Sequence, residues 1–331
     1  MKHKLLKFLK VLAFFILGVV IFWLVYKDQD LERIESILKN DVNYLWVWLS
    51  LFLGLLSHIS RTMRWVIMIE PLGRRPRVLN TFLAVMVGYL MNLVIPRMGE
   101  ISRCGVLSRY EKISFTKLVG TVVTERIIDV IMMLLLTLIV IGTQFGKILE
   151  FLDNNPVVKN KLENITFSPA VIISLIAVVG AFYYFRRKIK HSALFHKIQV
   201  TLQKFGEGLR TIKNMKHKWA FIFHTVFIWL MYYLMLYVVF FSFEFTAHLS
   251  AIAALTTFVL GSFGMVAPVQ GGIGAWHFMV IQALIVYGIS KADAVVFAFL
   301  AHSSMTAMMI LVGLISLLIL PFINRRNTES S

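Results

Sequence analysis

The stretch VLNTFLAVMVGYLMNLVIPRMGEISRCGVLSRYEK (residues 78–112) decides how this chain is folded. It opens as an apolar run, Val78–Ile95, almost long enough to cross a bilayer. Pro96 and Gly99 then interrupt it, and Arg97, Arg103, Arg109, Lys112 and Lys117 follow. If the run crossed fully, these cations would lie outside the membrane. Every later loop would invert with them, and residues 186–218, with ten Lys and Arg, would also lie outside. Lys and Arg gather in cytoplasmic loops, so that topology is disfavoured. The reading that remains is a re-entrant hairpin. The chain enters from the cytoplasm, turns at Pro96–Gly99 and goes back. Non-helical backbone at such depth is tolerated only when buried in protein or lining a wet cavity.

Outward from this stretch, apolar runs recur along the whole chain. The first follows Lys2, Lys4, Lys7 and Lys10 and continues to Tyr26; no small-residue cleavage site comes after it, so it reads as a span and not a signal peptide. Further spans are expected at Asn43–Ser57, Leu118–Thr143, Pro169–Phe185, Trp219–Phe241 and Ala294–Leu320. Leu249–Ala267, the turn Pro268–Gly274 and Ala275–Tyr287 read as a second re-entrant hairpin, entering from the outside. Its Pro/Gly density is the argument for a break in mid-membrane.

Composition agrees. The chain has 331 residues, 58% hydrophobic and only 15% charged, with mean hydropathy +0.77. Soluble domains sit near about 45–50% apolar and about 25% charged, so a soluble catalytic domain is excluded. The net charge of +17 is strongly asymmetric: 27 of the Lys and Arg but only 7 of the Asp and Glu fall on the inner side of this topology, against 7 and 10 outside. Orientation accounts for the basic excess, and no nucleic-acid partner is expected. The lone Cys104 rules out an internal disulfide and a Cys-based zinc site.

The expected fold is an all-α polytopic integral membrane protein, with six transmembrane helices plus two re-entrant helical hairpins in an inverted repeat. Residues 1–331 form a single membrane domain. Its halves are about 1–143 and 168–321, with an external linker at 144–167 and a basic cytoplasmic amphipathic loop at 186–218. Pro96 lies 52 residues after Tyr44, and Pro268 lies 49 after Trp219. The halves are oppositely oriented, an arrangement found in transporters. Ile198, Leu202, Phe205, Leu209 and Ile212 recur at helical spacing among cations, which suits a helix on the inner leaflet.

Charged residues inside spans are costly, so they mark functional candidates. In NLVIPRMGEISR (92–103), a helical return limb puts Arg97, Glu100 and Arg103 on one face, with Asn92 nearby and Pro96 and Gly99 as the turn. Glu100 can partner one arginine and leave the other free; an arginine beside free N–H groups suits a phosphate. In TERIID (124–129), Glu125 and Asp129 share a face beside Arg126 and are expected to pair with the hairpin arginines. The competing reading is an ion-pair network that only locks the hairpin in place. In PVQGGIGAWH (268–277), Pro268, Gly271, Gly272 and Gly274 form a turn, while Gln270 and His277 stand as ligand contacts or, with the glycines, as packing residues. His58, His224 and His302 read as packing residues, with His302 also a candidate proton relay. No P-loop, H-E-x-x-H, G-x-S-x-G or metal-ligand cluster occurs, so no cofactor and no enzymatic activity are expected.

The motifs NLVIPRMGEISR, TERIID and PVQGGIGAW (268–276), with RTMRW at 61–65, resemble the lysylphosphatidylglycerol synthase transmembrane, or flippase-like, domain family. The resemblance spans nearly the whole chain. The family's first motif has a glycine directly after its proline; Arg97 stands there in this chain, narrowing the turn or adding a charge. In the family a similar membrane region is linked to a soluble aminoacyl transferase that attaches lysine to phosphatidylglycerol, and is implicated in moving the product to the outer leaflet. This sequence stops at Ser331 without that domain. The resemblance therefore implies a stand-alone, flippase-like translocator or binder of an anionic or amphipathic phospholipid in a bacterial cytoplasmic (inner) membrane, with both termini cytoplasmic. The alternatives are a subunit or partner of a membrane lipid-modifying enzyme, docked through residues 186–218, and a lipid headgroup transferase.

Overall fold

The computed structural model describes residues 16, 18–27, 30–153 and 215–325. Among them there is helix and turn but no strand. The chain divides into two compact units, Met1–Thr137 with Lys216–Ser331, and Leu138–Met215. Within the second, residues 138–153 continue a helix that begins in the first. The expected span Pro169–Phe185, the amphipathic stretch at 198–212 and most of the linker 144–167 lie outside the described residues.

Among the described residues the longer helices, in order, are α1 (residues 18–26), α2 (Leu31–Asn40), α3 (Tyr44–Ile69), α4 (Val78–Val94), α5 (Met98–Glu111), α6 (Phe115–Asp153), α7 (Lys218–Phe240), α8 (Ala251–Val266), α9 (Ala275–Val286) and α10 (Lys291–Ile323). Among the described residues, three stretches are long and apolar enough to cross a membrane alone: Phe115–Gly146, Lys218–Phe240 and Lys291–Ile323. A fourth candidate is the pair Glu32–Asn40 and Tyr44–Leu72, bent by 87°. Local signals start the helices. The side chains of Asp30, Asn43, Ser250 and Ser290 accept N–H groups of the first turns of α2, α3, α8 and α10.

Helix α3 is longer than its expected span. The sequence reading ends this span at Ser57; the helix continues to Ile69, and Arg61 and Arg64 are buried inside it. Ser50, Gly54, Ser57, Arg61, Arg64 and Met68 are all buried at helical spacing, so one face is buried along most of the helix. That face meets α7, which runs antiparallel to it. Asn43 N–H donates to Ser242 O at 2.9 Å, Ser50 Oγ donates to Met235 O at 2.7 Å, and Ser60 Oγ lies 2.8 Å from His224 Nδ1.

Two hairpins fill the rest of the first unit. In α4–α5, Asn80 at the entrance donates to Glu111 at the exit at 2.5 Å, so both legs return to one end. In α8–α9, Tyr287 Oη donates to Thr256 Oγ1 at 2.9 Å, and its legs return likewise. The ends differ. Asn80 also bonds Asn324, just past α10, at 3.0 Å, whereas the start of α10 is held at the other end by Arg33–Asp293 at 2.7 Å. The hairpins thus point toward each other from opposite ends, and their tips meet where Leu93 lies against Gly271. Leu236, Phe240, Phe243, Val280, Leu284 and Phe297 are among the buried side chains packed between α7, α9 and α10.

Candidate functional site

The legs of the first hairpin cross at glycines. A Cβ on Gly99 would stand 2.1 Å from Gly88 O, a distance no side chain can occupy. Close approach brings Arg103 of α5 against α4 and aims it past α4 toward α3 and α6. The turn itself is Ile95–Pro96–Arg97. Arg97 adopts φ 63°, the left-handed region where glycine is favoured, so it holds a backbone shape suited to glycine while carrying a charge. Arg97 therefore precedes the helix, and the one-face alignment expected for Arg97, Glu100 and Arg103 holds only for the last two. The Asn92 side chain is engaged in the turn: its Oδ1 accepts the Gly99 N–H at 2.7 Å.

Seven charged side chains converge beneath this turn. Glu125, wholly buried on α6, accepts from Arg61 at 2.5 Å, Arg126 at 2.8 Å and Arg103 at 3.0 Å, and forms an ion pair with Arg64 at 3.2 Å. Asp129, one turn further, takes Arg64 at 2.9 Å, Arg126 at 3.0 Å and Arg61 at 3.4 Å. Glu100 reaches Arg126 at 3.4 Å. A buried carboxylate or guanidinium costs several kcal/mol of desolvation unless paired, and this lattice pairs each of them. Aromatic rings close the remaining sides. Arg103 lies 4.5 Å from the Trp65 ring centre, Trp65 Nε1 donates to Thr121 Oγ1 at 2.9 Å, and Arg61 lies 5.8 Å from the Tyr232 ring. Tyr232 and Tyr89 share a hydrogen bond of 3.0 Å, and Tyr89 packs against His58.

The expectation that Glu125 and Asp129 pair with hairpin arginines holds for Arg103 and Glu125. Sequence reasoning does not place Arg61 and Arg64 in the site, although both stand in the motif RTMRW. The usable signal was Trp65–Ile69, an apolar run after the arginines that keeps them inside a helix. Four guanidinium groups against three carboxylates leave the cluster one positive charge in excess. Its open side holds Arg126, 42% exposed, and Glu100, 37% exposed. Arg97 is exposed on the turn and makes no ion pair among the described residues.

The second tip has a different chemistry. Gly271, Gly272 and Gly274 all have positive φ, as expected of a tight turn after Pro268. A Cβ on Gly274 would stand 2.8 Å from Phe22 N, so α1 lies directly on the turn. Gln270 and His277 are both buried. His277 Nδ1 accepts the Gly274 N–H at 3.3 Å, and Gln270 Nε2 has no hydrogen-bond partner among the described residues. Neither is linked by a hydrogen bond or ion pair to the arginine cluster.

The sequence matches the family model of the lysylphosphatidylglycerol synthase TM region over residues 9–313. The chain belongs to that family. The match takes in both hairpins and the charged cluster and ends within α10. A UPF0104 membrane protein of Methanocaldococcus jannaschii is 28% identical over 308 residues, covering 88% of this chain and 89% of that protein. No solved structure matches the chain. For a member of the lysylphosphatidylglycerol synthase transmembrane family, a lipid-related role in a membrane is the setting in which the cluster must be read.

Proposed function

We propose that this protein is a flippase-like translocator, or binder, of an anionic or amphipathic phospholipid. In this reading it spans a bacterial cytoplasmic (inner) membrane six times, with both termini inside. The hairpins are re-entrant, and the two halves form an inverted repeat. The antiparallel α3–α7 pair and the two opposed hairpins support that arrangement. The ends of the first unit support the orientation: Arg74, Arg75, Arg77, Arg109, Lys112 and Lys117 lie at one, Asp30, Glu32, Glu35, Asp41 and Asp293 at the other.

The observation that carries the reading is the unpaired Arg97 at the hairpin turn, above a cluster of surplus positive charge that opens through Arg126. An arginine fork there suits a phosphodiester. Glu100 and Asp129 orient Arg126, while Glu125 holds Arg61, Arg64 and Arg103 and locks the hairpin. The lock and the lipid site are neighbours, so the two readings of the charged residues combine.

In this account the chain is a carrier and not an enzyme, needs no cofactor and binds no nucleic acid. The test is translocation in proteoliposomes containing headgroup-labelled lipids, with the outer-leaflet label quenched. Protein-dependent movement that favours phosphatidylglycerol over phosphatidylcholine is expected. Folded protein that moves no lipid would refute the carrier reading. It would favour the role of partner to a lipid-modifying enzyme, checked by deleting part of residues 186–218.

A further inference from the structure

We propose that His277 and His302 form a proton-binding site, and that its occupancy controls closure of the second hairpin tip. The rings are buried, with centroids 4.4 Å apart, between α9 and α10. Their partners constrain both rings. Gly271 O lies 2.9 Å from His302 Nε2 and can only accept, so that nitrogen carries a proton; Nδ1 lies 3.3 Å from the Thr306 hydroxyl, which can donate or accept. Gly274 N–H can only donate, so His277 Nδ1 is bare as well. The His277 ring is therefore neutral in this conformation, while the contacts of His302 suit either charge state.

The consequences of a proton differ between the two. His302 keeps its bond to Gly271 O in either charge state, and the Thr306 hydroxyl can turn to accept. His302 is therefore an anchor. On His277 a proton at Nδ1 would face the Gly274 N–H, donor against donor, and the bond holding the turn would be lost. Two imidazolium rings 4.4 Å apart repel strongly in a low dielectric, so the pair accepts one proton at a time.

Among the described residues, the one titratable side chain seen against the pair is a phenol. From α1, the Tyr26 ring lies 5.7 Å from His277, and its buried hydroxyl has no hydrogen-bond partner among the described residues. Gln270 Nε2 on the tip is likewise unpartnered. Trp276, Phe22 and Thr306 complete the contacts, and among the described residues no charged side chain pairs with either ring. Tyr26 and Gln270 are uncommitted groups that a rearranged tip can use. A proton therefore favours an arrangement in which the tip leaves His277, and this supplies an energy source for carriage by a protein without a nucleotide-binding motif. The link to lipid movement rests on the carrier reading; the tip response does not.

The test needs no lipid substrate. Val94 and Val266, both exposed beside the two tips, are replaced by spin-labelled cysteines in a Cys104→Ser background. Their separation is followed by pulsed electron resonance from about pH 8 to about pH 4.5, bracketing the ordinary imidazole value of about 6.5. The expected result is a distance distribution that shifts on acidification and reverses on return. His277→Asn keeps an acceptor for Gly274 N–H but cannot titrate, and should abolish the shift. His302→Gln keeps a donor to Gly271 O and should retain it. If His277→Asn fails to stay monodisperse, His277→Gln serves as the second neutral replacement. A wild-type distribution that does not change, or an undiminished shift in the neutral His277 variants, overturns the proposal. A tip that responds in a protein that moves no lipid would leave the proton site standing and remove the carrier reading.

Discussion

The Arg103 guanidinium donates to Glu125 at 3.0 Å while lying 4.5 Å from the centre of the Trp65 ring, so one side chain of the hairpin is held by α6 and α3 together. Through Arg103 the returning leg of the hairpin is fixed from both sides. Glu125 is the common acceptor, with four arginines on one buried carboxylate.

Replacing that carboxylate should therefore be severe. Glu125→Gln takes from Arg103 the ion pair it makes among the described residues and leaves Arg61 and Arg64 to Asp129. A loss of about 3–5 kcal/mol is expected, as for breaking one partner of a buried ion pair. The check is thermal unfolding in detergent, where the variant should melt well below wild type or fail to stay monodisperse.

Arg97 should behave in the opposite way. Its φ of 63° is strained for any residue with a Cβ, so Arg97→Gly should stabilise the turn by about 1 kcal/mol. The same change removes the unpaired charge and should abolish lipid translocation. A melting temperature that rises while transport falls would separate the turn's shape from its chemistry.

The glycine crossing offers a sharper contrast. Gly99→Ala places a methyl group 2.1 Å from Gly88 O and should prevent the hairpin from closing. Gly105→Ala on the same helix meets no atom within 4 Å and should be neutral, or stabilising by up to about 1 kcal/mol through helix propensity. Expression yield and unfolding temperature of the pair decide it.

These residues also show what a sequence can reveal. Both hairpin turns were legible, because Pro96, Pro268 and their glycines interrupt apolar runs too short to form two spans each, and the cations after Pro96 resist being outside. The length of α3 was not. Arg61 and Arg64 look like the end of a span when only charge is counted, and their partners lie 64 and 65 residues away, on a helix the sequence cannot place beside them. Likewise Asn92 reads as a free polar group, whereas folding turns it back onto the Gly99 N–H. Pairing across helices neutralises cost, and pairing is a property of the packed chain.

The most direct measurement is translocation of headgroup-labelled phosphatidylglycerol by the Arg97→Glu variant in proteoliposomes, beside wild type. Arg97 makes no ion pair among the described residues, so charge reversal should leave insertion and unfolding temperature unchanged. The account predicts wild-type movement and none above empty vesicles for the variant. Equal movement by both proteins would contradict it.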